Sequence, residues 1–322
     1  MMKKPLIALA ASMAMVAGAQ AETKLYGKFN VTVDYTTTEA DAAAGGTDDP
    51  VYSLSSHASR LGVKGKEDLG SAKAIYKMEY ETFVDDGDKG STGTQTFTQR
   101  NIYVGLDYGD LGSVRMGNYD TPLKVSQGKF DLFNDVVDIK NVLDGENRSP
   151  NQLNYTTGDL GGLKVSLSTI MSEVDGVGNG TSFSATYKSG GLYVSLAADD
   201  NIPGKSKSVQ RLTTTYQMGD IRLGLLAQNV DEDDTAGCEG GDVKDCETLG
   251  YAANVSFKMG KNKLKAQYEM GDQKAWGATA MTVGVDHKLG KATTAYALYT
   301  MYEEEADDSG VSAAALGLVH KF

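Results

Sequence analysis

The sequence predicts an all-β protein in which sixteen antiparallel transmembrane strands close into a β-barrel. Segments of about ten residues with alternating apolar and polar side chains fill most of the 322-residue chain. Short glycine-containing turns and long polar loops alternate between these segments. After residue 21, no apolar run reaches the roughly 18 residues that a membrane-crossing helix needs, which excludes a helical membrane protein.

The alternation is clearest in the first predicted strand. Leu25, Phe29 and Val33 share one face of this segment, and Lys28 lies on the opposite face. Residues 72–82 repeat the pattern. Strands of a soluble β-sandwich alternate in the same way. The periodicity therefore predicts strands without deciding whether their apolar face meets lipid or a protein core.

The connections between strands favour the membrane barrel. Seven tight turns and eight long loops alternate strictly, and these fifteen connections join sixteen strands. Outer-membrane barrels have short turns at one rim and long loops at the other, whereas a Greek-key sandwich would not keep this alternation. An even number of strands places both chain ends at one rim. The tight turns are residues 67–70, 109–112, 158–162, 190–191, 219–220, 260–262 and 289–291, and the long loops are residues 36–50, 85–96, 120–148, 172–180, 199–207, 231–247, 271–276 and 303–309.

The composition alone resembles that of a soluble acidic protein. The chain has 43 acidic and 31 basic side chains, a net charge of −12 and a mean hydropathy of −0.33. A barrel with a polar lumen has a similar average, because only every second side chain of a strand must be apolar. The acidic excess argues against a nucleic-acid partner. The 17 tyrosines fit aromatic girdles at the two membrane interfaces, although ordinary strand preference explains any single one.

The N-terminus has the pattern of a secretory signal peptide. Lys3 and Lys4 precede a short apolar run that ends at the small-residue site Ala19-Gln20-Ala21. We therefore expect residues 1–21 to be removed and residues 22–322 to form the barrel domain. Removal of the two lysines changes the net charge from −12 to −14.

The only two cysteines, Cys238 and Cys246, lie close together in a loop rich in glycine and acidic residues. An exported chain meets an oxidising periplasm, so we expect a disulfide between them. Two cysteines without a nearby histidine make a poor zinc site. The predicted bridge closes a short surface loop and has no chemical role.

Several segments carry a family resemblance. They are Thr23-Lys-Leu-Tyr-Gly-Lys-Phe-Asn-Val31, Ser59-Arg-Leu-Gly-Val-Lys-Gly-Lys-Glu-Asp-Leu-Gly70, Arg100-Asn-Ile-Tyr-Val-Gly-Leu106, Leu111-Gly-Ser-Val-Arg-Met-Gly117 and Asn147-Arg-Ser-Pro-Asn-Gln-Leu-Asn-Tyr155. In order and spacing, the chain from about Glu22 to Phe322 resembles the sixteen-stranded general porins of Gram-negative outer membranes.

The resemblance implies a homotrimer in which each protomer has its own water-filled pore for small hydrophilic solutes. It also implies contact with outer-membrane lipid and lipopolysaccharide, and assembly by the barrel assembly machinery, with the terminal Phe322 as assembly signal. The last strand departs from the family. Leu316, Leu318 and His320 stand where aromatic residues usually alternate before the terminal phenylalanine.

The resemblance further implies that the third long loop, Asp120–Arg148, folds into the barrel and constricts the pore. The alternative is a loop exposed on the surface. The composition of this loop favours the inward fold, because so many apolar side chains would be costly on an exposed loop. We expect these to pack on the barrel wall: Val125, Phe130, Leu132, Phe133, Val136, Val137 and Ile139. The predicted acidic residues of the constriction loop are Asp120, Asp131, Asp135 and Asp138.

Basic side chains are expected on the facing wall. By resemblance, Arg60, Arg100 and Arg148 match the wall arginines of the family, and strand alternation adds Lys77 and Arg115. Arg100 does not fit strict alternation, which would place it on the face of Ile102, Val104 and Leu106. Either a β-bulge shifts the register or Arg100 lies on the subunit-contact side.

The predicted function is passive diffusion of ions and small hydrophilic solutes, with a weak preference for cations. Six acidic side chains against three lysines in the third loop, and acidic clusters in the outer loops, favour cations by electrostatic focusing. The alternatives are a barrel enzyme (lipase or protease) and a soluble exported all-β binding protein. None of the three histidines adjoins an obvious catalytic partner, and the sequence indicates neither a cofactor nor a metal site.

Overall fold

A computed structural model describes residues 22–39, 50–86, 97–202, 207–232, 246–271, 277–304 and 309–322. Within these residues, seventeen strands make up nearly all of the regular structure. They are β1 (Glu22–Glu39), β2 (Val51–Ser56), β3 (Arg60–Asp68), β4 (Lys73–Thr82), β5 (Phe97–Asp107), β6 (Ser113–Asp120), β7 (Arg148–Thr156), β8 (Leu163–Ile170), β9 (Gly180–Ser189), β10 (Leu192–Asp200), β11 (Lys207–Met218), β12 (Ile221–Glu232), β13 (Cys246–Met259), β14 (Asn262–Gly271), β15 (Ala278–Lys288), β16 (Thr293–Glu304) and β17 (Ser309–Lys321).

The strands form one closed antiparallel sheet, because β1 pairs with β17 on one side and with both β2 and β3 on the other. Strands β2 and β3 are two halves of one stave, which is interrupted at residues 57–59. The barrel therefore has sixteen staves, which confirms the predicted fold. Within the described residues, no helix has the length and apolar character of a membrane-crossing helix.

The tight turns lie at one rim, and the described strand ends that flank the long loops lie at the other, as predicted. Gly190, Gly219 and Gly260 have φ values of 55°, 57° and 58° at three of the tight turns, a conformation that favours glycine in two-residue hairpins. Glu22 and Phe322, the two ends of the described barrel, lie at the tight-turn rim. There Gly27 and Phe322 exchange two backbone hydrogen bonds, and the rings of Phe29 and Phe322 are 5.5 Å apart.

Strand alternation divides the side chains between lipid and lumen. Leu25 and Leu316 face outward and are 64% and 69% exposed. Their neighbours Asn30 and Thr32 face inward and are buried. This arrangement hides polar side chains in the lumen and presents an apolar band to lipid, the reverse of a soluble protein.

The interior becomes apolar where the third loop, residues 121–147, lies against the wall. Inward-facing residues of β12, β13, β15 and β16, such as Leu226, Ala252, Ala280 and Leu298, are buried under this loop. The loop thus folds into the barrel because it has an apolar wall to cover.

Two predictions fall on parts of the chain that are not described. The signal peptide, residues 1–21, lies outside the described residues, as do Cys238 and the side chain of Cys246. The cleavage site and the disulfide stay predictions.

Candidate functional site

The third loop begins with a short helix, α1 (Pro122–Ser126), whose start follows from the local sequence. The Thr121 hydroxyl accepts a hydrogen bond from the Lys124 amide, and Pro122 occupies the first turn, where its missing N–H costs nothing. Leu123 is fully buried between β10, β11 and β12. The hydroxyl of Tyr193 donates to the carbonyl of Ser126 at the end of the helix. These contacts fix α1 to the wall.

The middle of the loop continues along the apolar wall. Phe130 and Ile139 are fully buried in one cluster, and Phe133 packs against Leu298 in a second. Most of the apolar loop side chains therefore pack as the sequence predicted. Val125 does not, because it points away from the wall and is 63% exposed.

Asp131 was predicted as an acidic residue of the constriction loop, but its side chain turns to the barrel wall. Its carboxylate accepts hydrogen bonds from the amides of Phe133 and Ile139 and from the side-chain amide of Gln267 on β14. Burial and the neighbouring Asp138 raise the pKa of Asp131 to about 7. Asp131 is thus a structural anchor that turns the loop and ties it to the wall.

Asp135 is the acidic residue at the loop tip, and it crosses the lumen to the opposite wall. It accepts a hydrogen bond from Lys28, and its Oδ1 is 3.6 Å from Arg60 and 3.9 Å from Arg100. Burial opposes its ionisation, but these cations outweigh that effect and lower the pKa of Asp135. Its φ of 75° is unusual for a residue other than glycine and marks a strained tip.

A β-bulge explains the position of Arg100. The register between β4 and β5 shifts between Met78 and Tyr80, so the side chain of Arg100 turns into the lumen. Its Nε is 3.2 Å from Glu79, and its Nη1 is 2.6 Å from Glu81. Of the two possibilities left open by the sequence, the structure shows the bulge and not an orientation toward a subunit contact.

Asp120 and Arg148 lie at the base of the loop. They end β6 and begin β7, face each other in register, and form an ion pair of 2.8 Å. Asp120 therefore belongs to the barrel wall and not to the loop, which corrects the predicted assignment. Asn101 accepts a hydrogen bond from Arg148 and donates one to Asp120.

Loop and wall enclose a cavity of about 830 Å³. Its described lining has six basic and six acidic side chains, which are Arg60, Lys77, Arg100, Lys124, Lys140, Arg148, Glu79, Glu81, Asp120, Asp135, Asp138 and Glu146. Asp138 borders this cavity and caps the turn Ile139–Asn141 by accepting a hydrogen bond from the Lys140 amide. Lys77 lies 3.1 Å from Glu79. The candidate constriction thus holds paired charges of both signs in place of a basic wall facing an acidic loop.

Arg115 is not part of this cluster of charged residues around the main cavity. It borders a second cavity of about 230 Å³ between α1 and strands β6 to β10. Its guanidinium lies 5.4 Å from the ring centre of Tyr103. Strand alternation correctly predicted that Arg115 points inward. It gave no information about the depth at which the loop crosses the lumen.

The sequence interpretation missed several residues of the cluster. Lys28, Glu79 and Glu81 lay on faces that alternation marked as polar, so their inward orientation was visible, but their closeness to Asp135 and Arg100 was not. Glu146 and Arg211 form a salt bridge of 2.7 Å, and both side chains are at most 2% exposed. Burial raises the pKa of Glu146, although Arg211 acts in the opposite direction. This pair holds the end of the loop to β11.

Comparison with known proteins agrees with this architecture. The sequence matches the Gram-negative porin family over residues 6–307. Outer membrane porin protein 32 of Delftia acidovorans is 30% identical, and the match covers 97% of this chain and 93% of that protein. The solved structure of an anion-selective porin from Comamonas acidovorans has a TM-score of 0.75 and 25% identity, and the match covers 94% of this chain and all of that chain.

A more distant structure shows the same fold. The trimer form of OmpT from Vibrio cholerae has a TM-score of 0.67 at 16% identity, with 94% of this chain and 99% of that chain covered. The closed sixteen-stave barrel, the loop folded across its lumen and the match over nearly the whole sequence lead to one conclusion. The chain belongs to the Gram-negative porin family and is a channel protein of the outer membrane.

Proposed function

We propose that this porin conducts ions and small hydrophilic solutes by passive diffusion, with a weak preference for cations. The observation that carries the proposal is the balance of six basic and six acidic side chains around the main cavity. The charges at the constriction compensate each other. The net charge of the rest of the chain therefore decides whether cations or anions are preferred. That charge is −14 without the predicted signal peptide.

A weak anion preference is the second candidate. It is favoured by Lys28, which adds a seventh cation next to Asp135, and by the similar porin from Comamonas acidovorans, which is described as anion-selective. Both candidates assign the same residues to the constriction. They differ in which charge determines the ion preference: the local excess of positive charge at the loop tip or the negative net charge of the whole chain.

The reversal potential across a planar bilayer separates these candidates. The purified protein is inserted between potassium chloride solutions of different concentration, and the zero-current voltage is measured. A sign that corresponds to potassium permeation supports the cation preference. The opposite sign favours the anion candidate and rejects our proposal.

We also propose that the protein is a homotrimer of separate pores in contact with outer-membrane lipid and lipopolysaccharide. Support comes from the family and from the trimer form of the OmpT structure. Electrophoresis of unboiled outer-membrane extract tests this, because a trimer migrates as a slow band that boiling converts to monomer. A monomer band before heating would contradict the trimer.

Residues 1–21 are proposed to be a signal peptide, which leaves residues 22–322 as the mature barrel. The basic start and the small-residue site at Ala19-Gln20-Ala21 support this boundary. Mass spectrometry of the protein from outer membranes is expected to give the mass of a chain that begins at Glu22. No enzymatic role is part of the proposed function.

A further inference from the structure

We propose that the lumen contains a second solute site, beside the constriction, that binds amphipathic organic ammonium ions. The site is a cavity of about 510 Å³ between the third loop, strands β14 to β17 and strands β1 and β2. Its volume falls in the range of small-molecule pockets. The proposal rests on the chain being a channel and is independent of the sign of its overall ion selectivity.

One side of this cavity is apolar. Leu298, Val311 and Ala313 point inward from β16 and β17, and the third loop adds Val136 and Val137. Porin interiors are polar because they are filled with water. Apolar side chains that border open space in such a lumen gain by contact with a hydrocarbon group, at roughly 25 cal/mol per Å² of apolar surface removed from water.

The charged side chains on the lining are acidic. Asp34 and Glu269 border the cavity together with His57, and none of its described lining residues is lysine or arginine. The neighbouring constriction, in contrast, has six basic side chains. Charge complementarity therefore separates the two cavities: a cation with an apolar body fits here, and an anion does not.

Glu269 provides the second observation that points to a ligand. It is 2% exposed. Its Oε1 accepts a hydrogen bond of 2.6 Å from Gln267, whereas its Oε2 has no hydrogen-bond partner among the described residues. No described lysine or arginine lies within 4.0 Å of it, since the ion pairs of this wall involve other carboxylates. An ammonium group supplies both a hydrogen-bond donor and the compensating charge.

Single-channel recording with 2-phenylethylammonium tests the site. Open-channel conductance is recorded first in each membrane, so that loss of the channel and loss of the site are distinguished. We expect the probe to interrupt the current at concentrations about tenfold or more below those needed for ethylammonium, which lacks the ring. The anion 3-phenylpropionate has the same apolar body and is expected to have no effect at this site.

Two variants locate the block. Glu269→Gln keeps the hydrogen bond to Gln267 and removes the carboxyl group that pairs with the ammonium ion, and it should weaken binding of the probe by about tenfold. Ala313→Phe narrows the cavity on its apolar side and should weaken binding strongly. Glu232→Gln is the matched control, since Glu232 faces the lumen beside Lys207 on another side of the barrel and does not border this cavity. Its binding should equal that of the wild type.

Calorimetric titration of the purified protein in detergent covers the case of a solute that binds without interrupting the current. The same ranking of probes and variants is expected. The proposal is overturned if 2-phenylethylammonium neither blocks nor binds, or if Glu269→Gln and Ala313→Phe bind it as the wild type does.

Discussion

The carboxylate of Glu146 lies 2.7 Å from the guanidinium of Arg211, and both side chains are almost completely buried between the third loop and β11. Arg211 also donates to the Asp144 carbonyl and to Gln228. The Arg211 side chain thus binds the last part of the loop, residues 144–146, at two points. We call this segment the returning arm of the loop. The loop is fixed across the lumen by such bonds as well as by apolar packing.

Arg211→Met should release this arm of the loop. Removing one partner of a buried ion pair costs about 3–5 kcal/mol, because the remaining charge stays uncompensated. We expect faster amide hydrogen exchange in residues 121–147 and noisier single-channel current. Arg222→Met is the control, since Arg222 also points inward but donates to Thr215 near a tight turn. Equal exchange in both variants would contradict the anchoring role.

Asp131 should make loop docking dependent on pH. Its pKa in the docked loop is about 7, above the ordinary value of 3.8. Between these values the docked state binds a proton that the released state has lost, so docking weakens as pH rises from about 4 to 7 and is constant above that. Amide exchange of the loop, corrected for intrinsic rates, should be slower at pH 5.5 than at pH 8. In Asp131→Asn this difference should shrink, and what remains comes from Glu146, whose pKa burial also raises. A wild type without any difference would refute the assignment.

Asp135→Asn should shift selectivity toward anions, because Lys28, Arg60 and Arg100 lose their shared counter-charge. A unit charge about 8 Å from the ion path in water changes an ion's energy by about 0.5 kcal/mol, roughly a factor of two in occupancy. The reversal potential in a salt gradient measures the shift. Asp159→Asn, in a tight turn, removes the same charge far from the constriction and should leave the potential unchanged.

Arg100→Gln and Arg115→Gln remove the same charge at two different depths. Arg100 borders the main cavity, whereas Arg115 borders the separate cavity behind α1. Conductance and reversal potential should therefore change clearly in Arg100→Gln and little in Arg115→Gln. The reverse order would return Arg115 to the constriction, as alternation alone had suggested.

Phe322→Ala should reduce assembly in the outer membrane. The substitution keeps the backbone hydrogen bonds to Gly27 but removes the ring contact with Phe29, which is worth about 0.5–1.5 kcal/mol, together with the proposed signal for the assembly machinery. The yield of heat-modifiable barrel in outer membranes should fall well below that of Leu318→Ala, an outward-facing change in β17. Equal yields of the two variants would contradict the role of Phe322 as the assembly signal.

The barrel was predictable because its physics is local. Alternation assigns each side chain to lipid or lumen, and glycine turns separate the staves, so residues such as Leu25 and Asn30 were placed correctly. One further signal was available. Leu225 and Leu226 are consecutive apolar residues, and alternation breaks there because the loop covers the inner one.

The constriction was less predictable because it depends on contacts between distant residues. Asp131 and Asp135 are four residues apart in a loop without regular periodicity, yet one turns to the wall and the other to the opposite side of the pore. The orientation of Arg100 depends on a bulge opposite Glu79, which alternation cannot locate. Registers between non-adjacent segments decide these positions.

The central claim is that the tip of the third loop lies in the ion path of each pore. Asn134, next to Asp135, borders the main cavity and is exposed. Asn134→Cys, in a chain with Cys238→Ser and Cys246→Ser, is recorded in a bilayer while a methanethiosulfonate reagent with a trimethylammonium group is added. We predict that the current falls in three equal steps, one for each pore of a trimer, and that Asp159→Cys in the same background shows no change. A current unaffected by modification of Asn134→Cys would contradict the claim.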